Sequence, residues 1–268
     1  MKLKYILLTV VLFAHHSPGG MVSYLRFEEN GGDIAYDETG LLDGDLISFT
    51  PDQESPGGGD TYGRGWSTDT PCSTIPQTGE ANTTSMRMNG GSAYIDLSNY
   101  NDLLLGYSFT VEMFIKPETP NISVLFGFSP GASLGLLISE SPGDYYFNLN
   151  FMGDMPYALA DGLKIDEWQH IALVKEPGEY SIYLDGVQVV HDTLAPSTDG
   201  PYDFAGNGTI GSRTLGGPTG TWYGWLDEFR ISDEALLPSQ FLNAAIPEPS
   251  TLGLLGLGLF SLIIRKRK

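Results

Sequence analysis

Tyr180-Ser181-Ile182-Tyr183-Leu184-Asp185-Gly186-Val187-Gln188-Val189-Val190 is the stretch that decides the fold class. Two alternating runs rich in β-branched and aromatic residues flank an Asp-Gly pair. That pair accepts the positive φ angles of a type I′ turn, so the stretch predicts a β-hairpin. Working outward, Gln169–Val174, Ser108–Ile115 and Tyr94–Leu97 read as further short strands. In Ser108–Ile115 the residues Phe109, Val111, Met113 and Ile115 share one face, while Thr110 and Glu112 take the other. Phe114 breaks the alternation, which predicts a strand covered on both sides at that end. Helical signal is thin: Ser232–Leu242 has room for one short turn, capped by Ser232 or Asp233. Residues 51–80 are polar, rich in Gly and Pro and without periodicity, and predict a long surface loop. Regular strands separated by Gly, Pro, Asn and Asp give an all-β sandwich.

The 268 residues have room for one large domain of this kind. A net charge of −19 repels phosphate backbones and argues against nucleic acid as a partner, while favouring solubility and divalent cations. Six of the 14 basic residues lie at the two ends, so the body is more acidic still. The single cysteine, Cys72, rules out an intramolecular disulfide. It sits in a Pro/Ser/Thr-rich stretch with no Cys/His pattern around it, as a bystander thiol would.

Five blocks carry a family resemblance, in family order across about 220 residues. Tyr24–Gly40 opens with an aromatic-x-Phe-acidic stretch leading to Tyr36-Asp37-x-x-Gly40. Met86–Ile95 holds an Asn-Gly hairpin and a Tyr-hydrophobic strand, and Phe109–Pro117 is a core strand ending in Lys-Pro. Glu167–Val174 pairs with the Tyr183–Val187 hairpin, and Gly224–Ile231 closes the series. Together these resemble LamG-like, concanavalin A-like jelly rolls. The resemblance implies a jelly-roll β-sandwich over residues 21–245.

Related laminarinase-like glycosidases carry Glu-x-Asp-x-x-Glu, with one carboxylate as nucleophile and another as acid/base. No glutamate in this chain is followed two residues later by Asp, so that active site is absent and the expectation is a non-enzyme. Trp168 and His170 match the family's strand block and read as packing residues. Asp227 has the parity of Trp225, Phe229 and Ile231, which would set it on their apolar face, where a carboxylate needs a partner. The resemblance implies a structural Ca²⁺ there, ligated by Asp227 with carbonyls around Glu28 or Gly44. A hydrogen-bonded structural Asp, or a bulge turning it outward, are the other readings. Tyr202, Trp222 and Tyr223 cluster near glycine-rich loops, where they could stack on sugar rings or close the core.

Both ends read as addresses. Residues 1–20 carry Lys2 and Lys4 before an apolar run to Ala14, the layout of a secretory signal. At residues 246–268, Pro247-Glu248-Pro249 precedes an apolar stretch from Thr251 to Ile264 and the basic tail Arg265-Lys-Arg-Lys268. Fourteen apolar residues fall short of the ~20 that cross a bilayer comfortably, and the terminal cations would stay cytoplasmic. Prolines flanking Glu248 keep that site extended. The layout resembles the PEP-CTERM sorting signal. It implies exosortase processing, a transient inner-membrane anchor through the C-terminal apolar helix, and display on the surface or in the exopolysaccharide matrix of a Gram-negative bacterium. The resulting expectation is an exported, non-catalytic surface protein with polysaccharide as a partner. The alternatives are a glycan-active enzyme with an unrecognised site and a structural spacer.

Overall fold

The computed structural model describes residues 20–47, 65–90, 93–97, 103–119, 123–128, 134–141, 143–151, 156–204, 208–212 and 220–245. The predicted secretory signal up to residue 19 and the sorting tail from residue 246 lie outside them. No helix among the described residues is long and apolar enough to cross a membrane.

Strand follows strand: β1 (Met21–Leu25), β2 (Ile34–Ala35), β3 (Gly44–Ile47), β4 (Gly65–Ser67), β5 (Ser85–Asn89), β6 (Tyr94–Asp96), β7 (Leu103–Leu105), β8 (Phe109–Pro117) and β9 (Ser123–Phe128). Then come β10 (Leu134–Ser141), β11 (Asp144–Phe151), β12 (Tyr157–Leu159), β13 (Gln169–Glu176), β14 (Glu179–Leu184), β15 (Val187–Thr193), β16 (Tyr202–Phe204), β17 (Gly208–Ile210) and β18 (Tyr223–Ser232). Two eight-stranded antiparallel sheets result. Sheet A runs β15-β14-β13-β8-β18-β5-β4, with β1 also on β18, and sheet B runs β12-β11-β10-β9-β17-β6-β3-β2. The pair β16-β7 stands apart. The predicted hairpin is β14-β15, and its turn has φ 50° at Asp185 and 79° at Gly186.

Alternation builds the core. Phe109, Val111, Met113 and Ile115 of β8 meet Leu125, Phe126, Leu136, Phe147 and Leu149 of sheet B in one continuous apolar cluster. The sheet A face turned away from this core is covered as well. Ile75 and Leu242 pack there on Tyr24 and Phe114, and Leu236 and Phe241 pack on Ala172 and Val174. Coverage on both sides accounts for Phe114 breaking the alternation.

Two expectations change here. The stretch read as surface loop contains β4, and its later part folds over sheet A because Ile75 buries completely. The helical turn is only a 3₁₀ turn at Pro238–Gln240. β18 continues through Ser232, and Pro238 starts the turn at a position needing no N–H.

Residues 233–244 form a strap across sheet A. Thr110 donates to the Glu234 carbonyl (2.8 Å) and accepts from the Leu236 N–H (2.9 Å). The Leu242 N–H donates to Glu112 Oε2 (2.9 Å), and Arg230 donates to the Gln240 carbonyl (2.8 Å). Beneath the strap, Arg230 Nε and Nη2 both donate to Glu112 Oε1, and His170 Nε2 lies 2.7 Å from Oε2. All three side chains are buried. Burial alone would raise the Glu112 pKa, but Arg230 and then His170 hold it below the usual carboxylate range.

Candidate functional site

In β11, Asp144-Tyr145-Tyr146-Phe147-Asn148-Leu149-Asn150, the apolar Phe147 and Leu149 enter the core and Tyr145 packs against it. Alternation therefore sends Asp144, Tyr146, Asn148 and Asn150 to the outer face of sheet B. Register extends that face to the sheet edge, since Tyr146 pairs with Leu159 and Asn148 with Tyr157 of β12. On the inner side Asn148 pairs with Leu137 and Tyr146 with Ser139 of β10.

These residues make an amphipathic platform. The Tyr146 and Tyr157 rings lie with centroids 5.3 Å apart and tilted by 50°. Tyr157 is 68% exposed and Leu159 48%. Asn148 Nδ2 donates to Ser139 Oγ (2.5 Å), which fixes the amide beside the rings. Exposed ring faces beside an oriented amide and a hydroxyl can stack on the C–H faces of a sugar while hydrogen-bonding its hydroxyls. Sequence reading did not single out these residues, although the polar spacing of Tyr146, Asn148 and Asn150 within an apolar strand was its signal.

The aromatics named from sequence go elsewhere. Tyr202 is buried, its ring edge-on to Phe109 at 5.4 Å and its hydroxyl donating to the Thr198 carbonyl (3.0 Å). Trp222 is buried in the main core. Tyr223 is half-buried over Gly90, where an added Cβ would fall 2.1 Å from the ring. Tyr202 and Trp222 thus present no face to a ligand, and close the sandwich instead.

Asp227, Glu28 and Gly44 are not gathered into one ligand set. A bulge between Asp227 and Arg230 adds a residue to β18, with Glu228 at φ 54°. It reverses the parity: Phe229 and Ile231 face the core, whereas Asp227 takes the outer side of sheet A, under the 68–84 segment. There Asn82 Nδ2 donates to Asp227 Oδ2 (2.8 Å). Asp227 Oδ1 and Asn82 Oδ1 stay buried without partners. Burial, and secondarily Glu228, raise the Asp227 pKa well above the usual value. The Glu28 carboxylate accepts from the Thr83 and Thr84 backbone N–H groups (2.8 and 3.2 Å). Gly44 pairs with Ala35 in the opposite sheet, its Cα against Ile95. Calcium takes six to eight oxygens. Among the described residues no three His, Cys, Asp or Glu side chains converge.

Glu228 accepts from the Tyr24 hydroxyl and from Arg26 Nε (3.3 Å), yet burial pushes its pKa up to about 7. Asp227 and Glu228 are both fully enclosed, whereas Glu29, also raised by burial, is half-buried.

No curated protein matches the chain. Among solved structures, domain 4 of AbnA, an extracellular GH43 arabinanase from Geobacillus stearothermophilus in complex with arabinotriose, is 18% identical with a TM-score of 0.55. The alignment covers 84% of this chain and 97% of that one. A mutant of Trypanosoma rangeli sialidase displaying trans-sialidase activity is 14% identical (TM-score 0.55), and the alignment covers 84% of this chain and 32% of the sialidase. The botulinum neurotoxin serotype D binding domain is 11% identical (TM-score 0.53), with 84% and 51% covered. At these identities the likeness is one of fold, which glycosidases share with non-catalytic modules. The PEP-CTERM protein-sorting motif matches residues 245–268, and it implies export, exosortase processing and association with a Gram-negative envelope or surface. The profile of the concanavalin A-like lectin/glucanases superfamily (the Laminin G type) matches residues 89–240, and the chain belongs to that family.

Proposed function

We propose that this protein is a non-catalytic carbohydrate-binding module, held at the cell surface or in the surrounding matrix through its sorting tail. The observation that carries the reading is the Tyr146–Tyr157 ring pair with Asn148 fixed beside it on an open sheet edge. The absence of Glu-x-Asp-x-x-Glu and the enclosure of Asp227 and Glu228 support binding without hydrolysis. Placement supports it further. The strap that leads to Pro247 crosses the outer face of sheet A, whereas the platform lies on the outer face of sheet B.

The test is a polysaccharide array probed with the full chain in mild detergent, alongside Tyr146→Ala/Tyr157→Ala. Binding by the native chain, at least tenfold weaker in the double variant and without release of reducing sugars, is the expected result. Binding untouched by the double substitution would remove the site, and sugar release would make the protein an enzyme.

A further inference from the structure

The proposed platform sits in an electrostatic setting that narrows its ligand. None of the eight strands of sheet B contains Lys, Arg or His. Among the described residues, the cations carried on strands all lie in sheet A: Arg87 on β5, Lys116 on β8, His170 and Lys175 on β13, His191 on β15 and Arg230 on β18. Several are committed there, with Arg87 on Glu118 (2.8 Å), Lys116 on Asp69 (2.6 Å) and Lys175 on Asp199 (2.8 Å). Arg230 is enclosed on Glu112. Beyond β12 the next basic residue in the chain is Lys164, paired with Glu167 at 3.0 Å.

The described strand residues around the rings are neutral or negative. Asn148, Asn150 and Ser139 supply amides and a hydroxyl on the platform face. Asp144 and Glu140 stand exposed at the β10–β11 turn, on a chain of net charge −19. Among the described residues, no strand of sheet B offers a guanidinium or ammonium to a uronate or sulfate on a bound polymer, and the exposed carboxylates at the β10–β11 turn would repel it. Stacking and neutral hydrogen bonds carry no such penalty for an uncharged chain.

We infer that the platform takes an uncharged polysaccharide and rejects acidic ones. This rests on the platform being the binding site.

Affinity gel electrophoresis of the full chain in mild detergent separates the two claims. One set of gels holds uncharged polymers (dextran, starch, galactomannan, hydroxyethyl cellulose, mixed-linkage β-glucan), and another holds alginate, hyaluronan and xanthan. The expected result is retardation by at least one uncharged polymer, little changed by 0.5 M salt, and none by the acidic set. Tyr157→Ala, a change at an exposed position that the fold tolerates, lowers that retardation at least fivefold. Retardation by an acidic polymer that Tyr157→Ala abolishes would keep the platform and overturn the charge class. Silence across both sets would overturn the platform and the inference with it.

Discussion

At the scale of single residues, Glu228 decides how stability depends on pH. Its carboxyl is enclosed against Tyr24 and Arg26, and burial lifts its pKa from 4.5 to about 7. The folded state therefore keeps a proton that the unfolded chain releases near 4.5, so the folded state binds more protons across that window. Stability then falls as pH rises through the window, and Asp227, raised by the same burial, acts in the same direction. Glu112 and Asp69, both lowered, work the other way below it and lose stability as pH drops through their folded values. The melting temperature is thus expected to be highest near pH 5 and to decline toward about pH 8. At about 1.4 kcal/mol per unit, the Glu228 part is on the order of a few kcal/mol. Glu228→Gln should flatten the decline in thermal scans across that range, and a melting temperature that rises from pH 5 to 8 would contradict this account.

The strap illustrates how an element is held by residues far from it in sequence. Residues 233–244 have little internal structure beyond one 3₁₀ turn. Their order comes from Leu236, Phe241 and Leu242 burying on sheet A, and from Glu112 accepting Arg230, His170 and the Leu242 N–H together. Glu112→Gln removes the negative charge from a buried Arg230 and leaves that cation uncompensated, a loss of roughly 3–5 kcal/mol. The expected signs are a lower urea midpoint and fast amide exchange at Leu242. Unchanged protection at Leu242 would mean that apolar packing alone holds the strap. The strap's apolar positions were visible in the sequence. Its course was not, because no local pattern links Leu242 to a glutamate 130 residues earlier. The β14-β15 hairpin is the opposite case, since its Asp185-Gly186 turn is a local conformational requirement and can be read directly.

At the scale of the whole molecule, the strap ends three residues before the Pro247-Glu248-Pro249 motif. The sandwich closes before the motif begins, so changing the motif should leave the fold alone. Replacing all three residues with alanine is expected to give a protein with native circular dichroism that accumulates as an unprocessed precursor on gels. Normal processing of that variant would contradict the reading of the tail.

The all-β class, the jelly-roll family and the sorting tail are all legible in the sequence. Turn chemistry, strand alternation and an apolar run are short-range patterns, legible one segment at a time. It also exposed the aromatic residues without telling core from surface. That distinction belongs to register. One extra residue in the β18 bulge sends Phe229 and Ile231 inward and Asp227 outward, and cross-strand pairing of β11 with β12 sets Tyr146 against Tyr157. Tyr202 and Trp222 resemble Tyr157 in chemistry, yet they are enclosed while Tyr157 stands at an open edge. Only the packing of two sheets and their coverings sorts one from the other, because burial depends on residues brought together from distant parts of the chain.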